Sequence, residues 1–98
     1  MADLVLDRSR LEALCDQYGI ATLEVFGSVA RGDERPGSDI DLLYTLRPGR
    51  LLGWEIEELS DALTEVFARP VDLVSRRALN ARLREDVLRD ARELYAAA

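Results

Sequence analysis

Apolar positions along the chain alternate between two periods. Leu11, Leu14, Cys15 and Tyr18 recur at helical spacing between Asp7, a residue that caps helices, and Gly19, one that ends them, which predicts a first helix over 8–18. Ala21 to Phe26 is short, rich in β-branched and aromatic residues and bounded by glycines, so a strand is expected there. Ser28 to Arg31 reads as the first turn of a short helix, and 32–38 as a loop marked by Pro36 and Gly37. From Asp39 to Thr45 the period returns to two, with Ile40, Leu42 and Tyr44 on one face and Asp39 and Asp41 on the other. After the turn Arg47-Pro48-Gly49, the stripe Leu52, Ile56, Leu59, Leu63, Val66 and Phe67 predicts a long amphipathic helix ending near Ala68. Pro70 opens a third strand through Val74, and Ser75 and Asn80 both offer caps for a helix running to about Arg89. Ala91 to Tyr95 fits either a continued helix or a short closing strand.

Composition changes this picture mainly by exclusion. A length of 98 residues suits one domain, 1–98, with no room for a separate substrate-binding domain, so the substrate is expected to bring its own recognition surface. There is no histidine and no lysine, and Cys15 is the lone cysteine. This inventory excludes Ser-His-Asp and Cys-His nucleophile systems, His/Cys zinc sites, Schiff-base lysines, the P-loop lysine and an intrachain disulfide. Cys15 falls on the apolar stripe of the first helix, where a buried, inert thiol is expected. Carboxylates, hydroxyls, arginines and backbone amides remain, a set suited to hard-metal chemistry on phosphates. No run of apolar residues is long enough for a membrane span and no secretory leader is visible, so the expected location is the cytoplasm.

A net charge of −6 argues against a general nucleic-acid-binding surface. The cations are nevertheless all arginine, and Arg76, Arg77, Arg82, Arg84, Arg89 and Arg92 crowd one stretch. They form either a basic patch or, interleaved with Glu85, Asp86, Asp90 and Glu93, a solvated helix face. Trp54 suits packing or a partner contact equally.

The chemistry concentrates in GSVARGDERPGSDIDLL, which is Gly27-Ser28, ten residues, then Asp39-Ile40-Asp41. Residues two apart on a strand point the same way, so Asp39 and Asp41 reach one point in space. Side by side they repel unless a cation lies between them, and Mg²⁺ accepts one or two carboxylates while keeping positions for water and substrate phosphates. Asp72 interrupts the apolar run Val71, Leu73, Val74 and is the candidate third carboxylate. If its strand lies beside the Asp41 strand, two metals about 3.5–4 Å apart can be held. Gly27 allows close backbone approach, and free N–H groups of a starting helix with the Ser28 hydroxyl offer donors to a triphosphate. A plain N-cap serine is the simpler role for Ser28, and Arg31, one turn on, has no fixed role.

GSVARGDERPGSDIDLL followed by VDLVS resembles the minimal nucleotidyltransferase (MNT) family of the DNA polymerase β-like superfamily, whose motif is Gly-Ser, about ten residues, Asp-x-Asp and a later carboxylate. The resemblance covers nearly the whole chain. It implies an α+β fold, a small mixed β-sheet with helices packed on one side, and so favours a strand for Ala91 to Tyr95. It assigns Gly27 and Ser28 to the triphosphate of ATP, Asp39, Asp41 and Asp72 to two Mg²⁺ (or Mn²⁺) ions, and Asp72 also as base toward the attacking hydroxyl. It further implies an antitoxin that silences a HEPN-domain ribonuclease toxin by transferring AMP to one of its tyrosines. Two alternatives stay open at this point: an antitoxin that neutralises by binding alone, and a nucleotidyltransferase for a small molecule such as an aminoglycoside.

Overall fold

The computed structural model describes residues 7–32 and 39–97, and within these leaves the side chains of Ser28, Val29 and 81–83 aside. The expected loop 33–38 lies outside the described residues.

Helix α1, Arg8–Tyr18, starts where Asp7 accepts a hydrogen bond from the Arg10 N–H (3.2 Å) and ends where Gly19 turns left-handed, φ 71°. Strand β1, Ile20–Phe26, runs directly into the short helix α2, Gly27–Arg31. Strand β2 is Ile40–Leu46, helix α3 Glu55–Phe67 and strand β3 Val71–Ser75. A 3-10 turn over Arg76–Ala78 precedes α4, Ala81–Asp90, and β4, Arg92–Ala96, closes the chain.

Three details sharpen the sequence reading. The third helix begins at Glu55, just after Trp54, and the apolar stripe starts ahead of it at Leu52; the Glu55 carboxylate accepts the Gly53 N–H (2.9 Å) and holds 53–54 in a turn. Ser75 caps no helix with its side chain; the 3-10 turn intervenes, and Asn80 precedes α4, its carbonyl accepting from the Arg84 N–H (2.9 Å). Ala91 to Tyr95 resolves toward a strand, with β4 antiparallel to β1.

The strands form one mixed sheet in the order β3-β2-β1-β4: β2 and β3 are parallel, joined through α3, and the other pairs are antiparallel. This is the α+β fold expected. The longest helices, α1 and α3, cover one face, where Leu11 and Cys15 meet Leu59 and Leu63 over Leu23, Val25, Ile40 and Leu42, all at most 1% exposed. Each such side chain contributes about 1.5–3 kcal/mol on burial. Leu43, alternating to the opposite face, is also buried. On that face Arg76 reaches back from the 3-10 turn to Glu24 of β1 at 3.1 Å. No helix among the described residues is long and apolar enough to cross a membrane.

Candidate active site

The sheet assembles the carboxylates through two different pairings. In the parallel pair Asp41 lies opposite Asp72, and in the antiparallel pair it lies opposite Phe26, the residue before Gly27. Asp39 sits just ahead of β2, two residues from Asp41, and both Asp39 and Asp72 are exposed while Asp41 is half-buried. Asp41 and Asp72 each follow an apolar residue and precede a leucine, Ile40-Asp41-Leu42 and Val71-Asp72-Leu73. Burying those flanks forces both carboxylates outward.

Gly27 is where the backbone comes closest. Its φ is +74°, and a Cβ placed on it would stand 2.5 Å from Asp41 Oδ2. A glycine is therefore required twice over, for the left-handed backbone and for the space the carboxylate occupies. The Ser28 backbone falls in α2, but its side chain lies outside the described residues.

The electrostatics follow. Burial first, then Asp72, then Asp39 push the Asp41 carboxyl above its ordinary value, and Arg31 pulls it back. Anions that raise one another's proton affinity call for a cation. Hard oxygen donors with no nitrogen or sulfur ligand nearby suit Mg²⁺ or Mn²⁺ and not zinc. Among the described residues the three carboxylates do not close into a ready-made three-ligand cluster. The residues nonetheless fit a divalent ion, since Asp41 carries a repulsion that Arg31 offsets only in part and such an ion would relieve, and Gly27 leaves its oxygen uncovered.

Sequence reasoning missed the role of α4. Arg31 at the end of α2 pairs with Asp90 at the end of α4 at 3.0 Å, and the two helices enclose a cleft of about 220 Å³ beside Gly27, lined also by Phe26, Asp86 and Val87. A contact across 59 residues leaves no local signal. Among the described residues the arginine-rich stretch is dispersed over separate partners: Arg76 is tied to Glu24, Arg89 to Asp86 (3.6 Å), and Arg92 donates to main-chain carbonyls of Asp90 and Ala91.

The family described as a nucleotidyltransferase domain matches residues 8–95. The protein adenylyltransferase MntA of Thermococcus cleftensis is 34% identical over 79 residues, 79% of this chain and 77% of that protein. A solved structure assigned as a minimal nucleotidyltransferase superposes with a TM-score of 0.73 at 45% identity, covering 89% of this chain and 88% of its own. A third likeness is to a complex of tri-AMPylated Shewanella oneidensis HEPN toxin with MNT antitoxin, TM-score 0.65 over 92% of this chain and 70% of that one. At 21% identity that likeness shows the fold alone. With the family matched over almost all of its length and the site geometry consistent with it, the chain belongs to the nucleotidyltransferase domain family.

Proposed function

We propose that this chain, acting as one minimal domain, is an adenylyltransferase antitoxin that moves AMP from ATP onto a tyrosine hydroxyl of a HEPN-type ribonuclease toxin and so inactivates it. The observation that carries the reading is the placement of Asp41 in register with Asp72 and directly beneath Gly27, which brings paired carboxylates to a backbone turn free of side chain. The named activity of the Thermococcus cleftensis relative and the AMPylated toxin in the Shewanella oneidensis complex support the choice of nucleotide and acceptor class.

In this reading Gly27 and Ser28 seat the triphosphate, whose outer oxygens accept from main-chain N–H groups at the start of α2. Asp39, Asp41 and Asp72 would hold the divalent ions, two of them, which supply charge neutralisation for the triphosphate and acidify the acceptor hydroxyl. The tyrosine oxygen attacks the α-phosphorus in line, the bond to the β-phosphate oxygen breaks, and pyrophosphate departs. Asp72, exposed at the edge of the sheet, accepts the tyrosine proton. Position supplies much of the rate, because a fixed near-attack geometry is worth about 7–11 kcal/mol.

The test is transfer to the partner toxin, followed by intact mass with ATP and Mg²⁺. The double variant Asp39→Asn, Asp41→Asn is expected to leave the toxin unmodified; retained transfer overturns the assignment. If the double variant transfers nothing yet still neutralises the toxin stoichiometrically, binding alone accounts for the antitoxin action.

A further inference from the structure

One surface of the molecule has no part in the carboxylate site. Trp54 is 92% exposed and Leu51 83%, three residues apart in the connection from β2 to α3. Two large exposed apolar side chains this close along the chain offer an apolar contact point. Beside them opens a cleft of about 290 Å³ whose walls include Tyr44, Leu46, Arg47, Arg50 and Arg77. That is roughly twice the ~150 Å³ void that admits a benzene ring, so an indole has room.

Charge on this face is of both signs. Arg47 is held by Asp16 (3.5 Å) and Arg50 by the Gln17 carbonyl (3.3 Å), while Arg77, exposed, forms no ion pair among the described residues. On the other side of Trp54 the first turn of α3 carries Glu55, Glu57 and Glu58. Glu57 is exposed and also forms no ion pair among the described residues. The cleft lined by Leu51 and Arg77, the exposed Trp54 and the exposed Glu57 thus follow one another from the end of β2 into the first turn of α3. A contact about a two-fold axis needs self-complementarity, because each element must meet its counterpart on an identical surface. A chain of net charge −6 repels its own copies over most of its surface, and an arginine-rimmed cleft is the place where the acidic start of another α3 is attracted.

We propose that this face pairs with a second copy of the same chain about a two-fold axis, the Trp54 of each copy entering the arginine-rimmed cleft of the other and each Glu57 facing an Arg77. The cleft residues nearest the carboxylates are Tyr44 and Ser75, each three residues along its strand from Asp41 and Asp72, ~10 Å.

Sedimentation velocity across a concentration series, with emission from Trp54, the chain's lone tryptophan, tests this directly. A monomer–dimer equilibrium with a blue shift on association is expected, and Trp54→Ala raises the dimer Kd at least tenfold. Arg77→Glu and Glu57→Arg each weaken self-association, and an equimolar mixture of the two restores it, since both crossing pairs of the mixed dimer become Glu to Arg. A chain that stays monomeric at every concentration overturns the proposal, as does a dimer indifferent to Trp54→Ala or a mixture that fails to pair. A blue shift that occurs only on adding toxin also overturns it and makes this face the toxin's docking surface.

Discussion

Replacing Gly27 by alanine separates the two demands made on that position. The left-handed backbone, φ +74°, costs an L-residue about 1–2 kcal/mol. For a domain of this size that corresponds to a fall in Tm of roughly 4–8 °C per kcal/mol. The new methyl also stands 2.5 Å from Asp41 Oδ2, so to reach ordinary contact at 3.4 Å the carboxylate must retreat about 0.9 Å. A displacement near 1 Å at a reacting centre costs about 100-fold in rate, or about 2.7 kcal/mol of barrier. Gly49→Ala supplies the control: its φ is +81°, yet a Cβ there meets nothing within 4 Å. Both variants are expected to lose similar stability in a thermal melt, and only Gly27→Ala to lose AMP transfer, by about 100-fold. Equal transfer by the two variants at matched folded fraction would refute the link between the Gly27 contact and the chemistry.

Three further outcomes follow from the same structure. Because the folded Asp41 carboxyl titrates above its ordinary 3.8, the native state holds that proton more tightly than the unfolded chain; stability of the metal-free protein therefore falls as pH rises from 3.8 through the folded value. Asp41→Asn removes the loss, so its Tm exceeds that of the parent above this window and not below it, while transfer is abolished; a variant less stable at neutral pH contradicts the account. Arg76→Ala leaves Glu24, whose side chain is 16% exposed, without its partner, and costs about 1 kcal/mol after discounting for the exposure of Arg76, visible as a lower urea midpoint with unchanged slope. Cys15, 1% exposed and with its thiol pushed up to about 12, chiefly by burial, is expected to resist thiol reagents at pH 8 until the protein unfolds; labelling of the native state shows the core to be open.

Much of the fold was legible because periodicity and punctuation agreed. Asp7 and Gly19 bracket α1 as read, and the alternation in 40–44 places Ile40 and Leu42 in the core. The start of α3 was legible only to within a few residues, since the apolar stripe begins at Leu52, which packs on the core without being helical. The last strand was undecidable locally: Ala91 to Tyr95 has helical propensity, and its pairing with β1 is a tertiary fact. For the site, the motif singled out Gly27, Asp39, Asp41 and Asp72, but the pairing of Asp41 with Asp72 was only conditional on the two strands being neighbours and is a tertiary fact. Arg31 with Asp90 was invisible because its two halves lie on separate helices with only a through-space relation.

The register that assembles the site is set on the opposite face of the sheet. Ile40 and Leu42 are both fully buried, at 0% exposure, against α1 and α3, and Asp41 lies between them in sequence. A slip of one residue in β2 would turn Asp41 into that core and expel its two neighbours. The apolar loss alone is about 3–6 kcal/mol at the usual 1.5–3 per side chain, before any cost of burying a carboxylate. That is a large share of the 5–15 kcal/mol by which a domain is stable. The mutual repulsion of Asp41 with Asp72 and Asp39 acts in the other direction, but on a half-exposed group, where solvent screens it. Apolar burial beneath the strand therefore outweighs the electrostatic cost above it, and an arrangement of anions that would disperse on a free peptide is held in place by Ile40 and Leu42 on the opposite face of the sheet.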